Sequence, residues 1–455
     1  MRKRFLITIP GFLIFMSFLK NDENFEITNS KDLKWSVEIG KTSYRTNVSL
    51  TPSYLIIGSN GDNYMDPYLT DDRNGIHIIN RVTGKQVRNF AHGSFGDLDV
   101  NGTLIHNNLL YFGNDNDEFI CAELNGKIKY SLPISGDVEC ESVVINVDGK
   151  EIIVFGTEVG ELRAINPADG ETIWQHFHDS FEGWKMGDNR LVFKIKTHFD
   201  SGYLFNEKPI LEDLNADGIK DLVFVNIDEF YSVDGKTGNI LYRFDTDDKT
   251  KDWRDPSKLN IACGAESIIF KTNESGEKTV VFPAYSYKII PNSNRTDGYK
   301  FHMVHFNLKG KMIQSELIDE DIQLHRFKRI PDTKIFCNGE KIFQFDDQIK
   351  LKGKNDLEKK TKKEDYYYSH FISNQLISYQ NQPCISILHE DSNEFTCYNV
   401  KTGKIMKTID FQERSEFTPV FLDVNKDGKL DLLIADDSNK LSCIELESGI
   451  KILNK

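Results

Sequence analysis

The stretch LRAINPADGETIW (Leu162–Trp174) places an apolar strand, a short turn ending in Gly170 and a second strand in direct succession. A glycine at this point supplies the positive φ angle that a tight hairpin turn requires. The same arrangement recurs along the chain of 455 residues. The other copies are IHIINRVTGKQV (76–87), FICAELNGKIKY (119–130), FYSVDGKTGNILY (230–242), VHFNLKGKMIQ (304–314), FTCYNVKTGKIM (395–406) and LSCIELESGIKI (441–452).

The spacing of the turn glycines identifies the repeat. The three shortest spacings are 42, 44 and 46 residues. The widest gap, between Gly310 and Gly403, is filled by a degenerate copy, KIFQFDDQIKLKG (341–353), with Asp347–Gln348 at its turn. A period of about 45 residues with four short strands in each repeat is typical of a β-propeller. The fold class is therefore all-β, with blades expected at about 44–90, 91–132, 135–176, 200–245, 258–320, 322–350, 366–410 and 411–455.

Two segments compete for the last strand of the ring. LKWSVEIG (33–40) resembles the outer strand of a blade, and pairing it with the C-terminal blade would close the ring and remove its free sheet edges. GIKILNK (449–455) also reads as a fourth strand of that blade. The sequence therefore favours eight blades over residues 33–455, and seven blades with one irregular repeat is the alternative.

Bulk composition sets limits on function. Hydrophobic residues make up 39% of the chain, which has 31 Phe and 17 Tyr, enough for a globular core. A formal net charge of −14 excludes nucleic acid as the main partner, because a phosphate backbone needs a basic face. The seven cysteines are scattered without a CxxC pair, so we expect buried apolar cysteines and no disulfide framework or zinc site.

The N-terminal residues 1–25 have the layout of an export signal. Arg2, Lys3 and Arg4 precede an apolar run from Phe5 to Leu19, which is short for a membrane span. No small-x-small cleavage site follows, so an uncleaved signal-anchor is the alternative to a removed signal peptide. The sequence predicts an extracytoplasmic protein, secreted or anchored to a membrane through this segment.

Three stretches interrupt the repeat. We expect inserts at about 178–207, 286–302 and 350–368. Loops of this kind project from a propeller ring and carry its binding functions. QHFHD (175–179) also places His176 and His178 on one face of a strand, but no third metal ligand is evident, so the sequence favours a polar strand end that leads into a loop.

Two turns are replaced by an acidic nonamer. DLNADGIKD (213–221) and DVNKDGKLD (423–431) are each followed by an apolar strand. Oxygen donors occupy positions 1, 3, 5 and 9, position 7 can offer its backbone carbonyl, and a glycine allows a sharp bend. This spacing suits Ca²⁺, a hard cation that binds six to eight oxygens. The sequence predicts two structural calcium sites, with ligands Asp213, Asn215, Asp217, Ile219 and Asp221, and Asp423, Asn425, Asp427, Lys429 and Asp431.

The nonamers resemble the FG-GAP/VCBS-type calcium-loop repeat, and AINPADGETIW (164–174) resembles the PQQ-like propeller repeat of quinoprotein alcohol dehydrogenases. Together the two patterns cover nearly the whole chain after residue 33. The resemblance implies a propeller of seven or eight blades with calcium in the two acidic loops. The quinoprotein family holds its cofactor with a vicinal Cys–Cys pair, which this sequence lacks.

The sequence therefore favours a non-catalytic scaffold that binds a protein or a glycan through its loops. No catalytic or cofactor-binding residue is assigned. The alternative is an enzyme on the same scaffold, either a quinone-dependent dehydrogenase or a calcium-dependent polysaccharide lyase.

Overall fold

The structure is a computed structural model, and it describes most of the chain after residue 31. The described residues are 32–62, 72–93, 98–178, 186–187, 190–191, 205, 207–226, 229–246, 259–273, 275–289, 296–320, 327–358, 370–389, 394–410, 415 and 417–454.

Eight antiparallel sheets form a ring, which is the arrangement of an eight-bladed β-propeller. The prediction of eight blades is confirmed, and the seven-blade alternative is wrong. Blades 1–3 consist of Val48–Leu50, Tyr54–Asn60, Asn74–Asn80 and Gln86–Phe90; Thr103–His106, Leu109–Asn114, Glu118–Glu123 and Ile128–Pro133; and Val143–Val147, Lys150–Gly156, Glu161–Ile165 and Thr172–Phe177.

Blades 4–6 follow the same order, with one elaboration. In blade 5 the first-strand position is shared by two short strands, which flank a 3-10 turn at Ala265–Ser267. The strands are Ile210–Glu212, Asp221–Val225, Glu229–Val233 and Ile240–Asp245; Asn260–Ile261, Ile269–Thr272, Lys278–Ile289, Thr296–Asn307 and Met312–Glu320; and Lys328–Arg329, Ile335–Cys337, Lys341–Phe345 and Leu351–Asp356.

The last two blades complete the ring. Blade 7 contains His370–Ile372, Ile377–Tyr379, Gln382–His389, Glu394–Asn399 and Ile405–Asp410, and blade 8 contains Val420–Leu422, Asp431–Asp436 and Lys440–Glu445. Outside the ring, Met186–Gly187 pairs with Arg190–Leu191.

The N-terminal strand Leu33–Glu38 supplies the fourth strand of blade 8. It pairs antiparallel with Lys440–Glu445, so the first described strand of the chain belongs to the same sheet as the strands of blade 8. This is the closure that the segment 33–40 predicts. Blade 8 gains its fourth strand in this way, and the first and last blades of the ring are joined.

The C-terminal segment corrects the sequence analysis. Its strand Lys451–Ile452 pairs with Ile377 and Ser378 of blade 7, not with blade 8 as the segment 449–455 suggests. Asn454 continues the contact, since its side chain accepts a hydrogen bond from the Leu376 N–H at 2.6 Å. The position expected for this strand is already filled by Leu33–Glu38, so the tail crosses to the neighbouring blade.

Burial follows the position of a strand within its blade. The second and third strands are almost entirely buried, as in Asp221–Val225 and Glu229–Val233, whereas the fourth strand, as in Gln86–Phe90, is partly exposed. First strands lie nearest the ring centre: Ser49 of blade 1 donates to the Thr103 carbonyl of blade 2 at 2.9 Å. The core lies between neighbouring blades, where the buried faces of adjacent sheets pack together.

The strand order defines two faces of the ring. Successive strands are antiparallel, so their connections alternate between the two faces. One face, here called the turn face, carries the turns between first and second strands and between third and fourth strands. The opposite face, here called the connection face, carries the links between second and third strands and between one blade and the next.

The strand ends next to the expected inserts lie on the connection face by this rule. Phe177 and Ile210, which flank the first insert, end and begin strands there. Most of the stretch 286–302 is the paired ends of two long strands of blade 5, and Leu351–Asp356 is the outer strand of blade 6. Residues 179–185, 188–189, 192–204, 206, 290–295 and 359–368 of these stretches lie outside the described residues, as does the predicted leader 1–25.

All seven cysteines are described, buried and unbridged, as the sequence analysis expects. In the described part of the chain, no helix is long and apolar enough to cross a membrane.

Candidate functional site

The two acidic nonamers lie on the turn face, between the first and second strands of blades 4 and 8. Each has two residues in the left-handed backbone region, at φ +62° and +86° for Ala216 and Gly218 and +62° and +85° for Lys426 and Gly428. The matching angles show that the two turns share one backbone conformation. Glycine accommodates this region without steric cost.

The carboxylates of the blade 4 nonamer fold back onto its own backbone. Asp213 accepts the Gly218 N–H at 3.0 Å, Asp217 accepts the Ile219 N–H at 2.8 Å, and Asp221 accepts the Leu214 N–H at 2.8 Å. These bonds bring the first, fifth and ninth positions to one small loop. Three of the predicted ligands are therefore bonded to backbone N–H groups of their own loop. Ile219 could contribute only its backbone carbonyl.

The blade 8 nonamer repeats these bonds one for one. Asp423 accepts the Gly428 N–H at 2.8 Å, Asp427 accepts the Lys429 N–H at 2.8 Å, and Asp431 accepts the Val424 N–H at 3.0 Å. Asn425, like Asn215 in blade 4, contacts the carboxylate two residues later. The sequence repeat is thus also a repeat of side-chain structure.

The ninth carboxylate is the most buried in each loop. Asp221 and Asp431 are both fully buried at the start of the second strand. Burial raises the pKa of Asp221, and the nearby carboxylates of Asp234 and Asp217 raise it further, against the opposing effect of two backbone N–H donors. Burying a carboxylate is costly unless it is paired or hydrogen-bonded, and here the Leu214 and Gly235 N–H groups donate to its two oxygens at 2.8 and 3.1 Å.

One carboxylate of the blade 4 loop has an unpaired oxygen. Asp213 Oδ1 is buried and has no hydrogen-bond partner among the described residues. The side chain of Asn215 also donates to Asp234 at 3.2 Å, which places a further carboxylate beside the loop. No group of three His, Cys, Asp or Glu side chains in the described residues is arranged to hold a metal by itself. The predicted set relies instead on amide and carbonyl oxygens as well.

The blade 8 loop contains a cation of its own. The Lys34 ammonium lies 2.8 Å from Asp431 Oδ1, 3.1 Å from Asp427 Oδ2 and 3.3 Å from Glu445 Oε2. The Lys429 N–H, the Asn425 side chain and Lys34 together lower the pKa of Asp427 to about 2. Lys34 lies about 400 residues away in sequence, so no local pattern indicates the contact.

Each nonamer is also bound by a basic residue of the following blade. Arg81 of blade 1 donates to the Asp423 and Val424 carbonyls at 2.9 and 2.8 Å. Lys278 of blade 5 donates to the Asp213 carbonyl and to Glu212. The acidic loops therefore join neighbouring blades, and sequence reasoning missed these partners because they come from other repeats.

The centre of the connection face carries aromatic and charged side chains. The Tyr44 ring stacks on Phe371 of blade 7, with centroids 6.3 Å apart, and its carbonyl accepts a hydrogen bond from Thr418, beside blade 8, at 3.4 Å. The next residue, Arg45, is 2.9 Å from Glu139, just before blade 3. Two consecutive residues thus contact opposite sides of the ring, so they lie near its axis.

A polar network holds this central segment. Glu139 also accepts a hydrogen bond from Asn101 at 2.8 Å, and Asn101 accepts one from Ser43 at 2.8 Å. The Arg45 guanidinium lies 4.9 Å from the centroid of the Tyr44 ring. Tyr44 itself is 49% exposed. Its ring is therefore accessible to a partner, while its backbone is held by the contacts above.

The histidine pair at the end of the outer strand of blade 3 contacts side chains of blade 4. His176 contacts the Tyr231 hydroxyl, and His178 lies 3.2 Å from the buried Glu229. Glu229 is also bonded by Arg243. The two rings therefore join blade 3 to blade 4. Asp179, the third polar residue of the motif, is outside the described residues.

Comparison with solved structures finds the same fold in distant proteins. BamB from Moraxella catarrhalis matches at a TM-score of 0.53 and 9% identity, covering 91% of this chain and 99% of that one. Sqt1 from Saccharomyces cerevisiae matches at 0.51 and 10%, covering 92% and 100%. The Dos1 propeller matches at 0.50 and 10%, covering 93% and 95%. No family model and no curated protein sequence matches the chain. The comparisons establish the propeller fold.

Proposed function

We propose that the chain is a non-catalytic binding module whose connection face binds a protein partner, while its turn face holds the ring together. On the turn face, basic side chains of the following blade bond to both acidic nonamers. The described residues that flank the expected inserts lie at the connection face, which carries the loops from one blade to the next. Binding residues are commonly found on such loops, held by a rigid scaffold.

The observation that supports this assignment is the central Tyr44. A tyrosine that is half exposed and fixed by Phe371, Thr418 and the Arg45 bridge loses little conformational freedom when a partner binds. Exposed tyrosine and arginine side chains contribute more to protein interfaces than most residues do. A protein partner of this face is therefore favoured, and a glycan partner stays a prediction from the sequence.

The proposed role of calcium is structural. In blade 4 the ligands would be Asp213, Asn215, Asp217, the Ile219 carbonyl and Asp221. The unpaired Asp213 Oδ1 and the buried Asp221 support a cation there. Bound calcium would neutralise carboxylates that otherwise repel one another across a tight turn. The corresponding blade 8 site stays a prediction, because Lys34 already contacts two of its ligands.

An extracytoplasmic location follows from the same proposal. Calcium is millimolar outside the cytoplasm, so even a weak site fills there. The predicted export signal at residues 1–25 agrees with this location. Anchoring through that segment, and the alternative enzymatic roles, stay predictions of the sequence.

The binding face can be tested by site-specific photo-cross-linking in the cells that make the protein. A benzophenone amino acid replaces Tyr44 or Lys208 on the connection face and, as controls, Lys236 or Asp148 on the turn face. Lys208, Lys236 and Asp148 have side chains 52%, 46% and 68% exposed. We expect one and the same protein to be cross-linked from Tyr44 and Lys208 and from neither control. Equal cross-linking from both faces, or none from Tyr44 and Lys208, would overturn the proposal.

A further inference from the structure

The closing strand carries an irregularity at Lys34. Leu33 pairs with Ile444 and Trp35 pairs with Cys443, so the register shifts between them and Lys34 is the extra residue of a β-bulge. A bulge re-aims the side chain that it carries. Here the bulge directs the ammonium into the acidic loop, where it contacts Asp427, Asp431 and Glu445.

Blade 4 contains the same three acidic positions. Asp217 and Asp221 correspond to Asp427 and Asp431 in the nonamer. Asp234 corresponds to Glu445 by strand pairing. Leu222 pairs with Val233 in blade 4, and Leu432 pairs with Ile444 in blade 8. Asp234 and Glu445 are the next residues after Val233 and Ile444. The two blades therefore offer the same arrangement of carboxylates.

The two blades differ in the residue at the bulge of the outer strand. In blade 4 the outer strand pairs through Ile240 with Val233 and through Tyr242 with Ser232, with the same register shift between them. The residue at the bulge is Leu241, where blade 8 has Lys34. Leu241 packs against the apolar core and brings no charge.

The ion pair between Lys34 and Asp431 is partly shielded from solvent. Its side chain is 16% exposed and Asp431 is fully buried, so water screens their attraction only partly. The same strand is secured by neighbouring bonds: the Trp35 indole donates to the Arg81 carbonyl, and the Ile39 N–H donates to Asn439 at 2.9 Å. Removing the ammonium alone would leave Asp431 buried without its countercharge, which is strongly destabilising.

We propose that Lys34 is the resident cation of the blade 8 acidic loop, so that the ring closes without a metal ion, whereas the matching loop of blade 4 depends on one. The statement about blade 8 stands on the Lys34 contacts. The statement about blade 4 rests on the calcium proposal above. In this view one repeated loop serves two purposes: it closes the ring permanently at blade 8 and responds to calcium at blade 4.

The test exchanges the two bulge residues and measures thermal unfolding of the full chain in 1 mM CaCl₂ and in EDTA. Lys34→Leu should lower the midpoint in EDTA by about 3 °C or more, and calcium should restore part of that loss. Measuring Lys34→Leu together with Asp213→Asn removes the contribution of blade 4. The matched control is Lys429→Leu, which removes a lysine that contacts Glu445 but neither Asp427 nor Asp431 through its ammonium.

The outcomes separate the two proposals. An EDTA midpoint of Lys34→Leu equal to that of Lys429→Leu would overturn the role of Lys34. If Lys34→Leu does not fold, Leu241→Lys gives the second test: it should fold and lose the calcium response of the wild type. A wild type without any calcium response would overturn the blade 4 proposal, while the Lys34→Leu measurement in EDTA would still decide the blade 8 proposal.

Discussion

The indole N–H of Trp35 donates to the backbone carbonyl of Arg81 at 3.2 Å, and so links the outer strand of blade 8 to a turn of blade 1. The same relationship recurs between blades 3 and 4, where Trp174 donates to the Gly235 carbonyl at 3.2 Å. In both cases the turn glycine, Gly84 or Gly238, lies directly against the indole ring. The repeat thus encodes the contact between blades as well as the turn within a blade.

Replacing Trp35 with Phe should destabilise the protein by about 1–3 kcal/mol, through the lost hydrogen bond and a smaller buried ring. Trp35 is 8% exposed, as is Trp174, so Trp174→Phe is a matched variant and should lose a similar amount. Urea unfolding gives both values. If Trp35→Phe unfolds with the same free energy as the wild type, the stability of the propeller does not depend on this contact.

Replacing Gly84 with Ala should lower the free energy of unfolding by more than backbone strain in the turn alone would. A Cβ at Gly84 would come within 2.5 Å of the Trp35 ring, whereas at Gly149 no atom lies within 4 Å of it. Both residues have positive φ, at +65° and +84°, so both alanine variants pay the same kind of backbone strain. We expect Gly84→Ala to unfold at a lower urea concentration than Gly149→Ala. Equal midpoints would contradict the steric explanation.

The stability of blades 5 and 6 should fall in acid through Asp319. Burial opposes ionisation of this carboxyl, but Lys341 and Lys354, at 2.8 and 2.9 Å, outweigh burial and hold its pKa below the ordinary value. A lowered folded-state pKa adds stability above the unfolded-state pKa, about 3.9, and loses it as the pH falls through the folded-state pKa.

Urea unfolding between pH 6 and pH 2.5 checks this prediction. Asp319→Asn should be less stable than the wild type at pH 6, and the difference should shrink towards pH 2.5. Asp148→Asn, on the exposed turn of blade 3, is the control and should track the wild type more closely. A constant difference between Asp319→Asn and the wild type across this range would rule out the ionic contribution.

Calcium should raise the thermal midpoint of the wild type above its value in EDTA, because an ion that binds only the folded state stabilises it. Asp213→Asn should reduce that response, since Asp213 supplies the unpaired oxygen of the blade 4 loop. Asn146→Asp, in the ordinary turn of blade 3, is a control that adds a carboxylate without the nonamer spacing and should leave the response intact. An unchanged response in Asp213→Asn would exclude this loop as the calcium site.

Much of the fold is predictable because each blade repeats a local pattern. The turn glycines indicate the blades, and the apolar character of residues 33–40 indicates the closing strand. The destination of Lys451–Ile452 is not predictable in this way, because a strand of two residues carries too little pattern to choose between blade 7 and blade 8.

The candidate sites are likewise predictable only where their residues are close together in sequence. The nonamers are visible in the sequence because all five donor positions are local. Lys34, Arg81 and Lys278 are not, since each meets a loop from another repeat, and the positions that bring them there depend on register shifts and on ring closure. The central position of Tyr44 likewise arises only when blades 7 and 8 meet blade 1.

The central claim is that the connection face binds a partner. It is tested most directly by measuring how tightly two single variants of this chain bind the partner protein that the cross-linking experiment identifies. Tyr44→Ala removes the half-exposed ring at the centre of the connection face, and Lys236→Ala removes an exposed side chain on the turn face. We expect Kd to rise about tenfold or more for Tyr44→Ala, a loss of about 1.4 kcal/mol, and to stay at the wild-type value for Lys236→Ala. The opposite pattern, or no change in Kd for Tyr44→Ala, would contradict the claim.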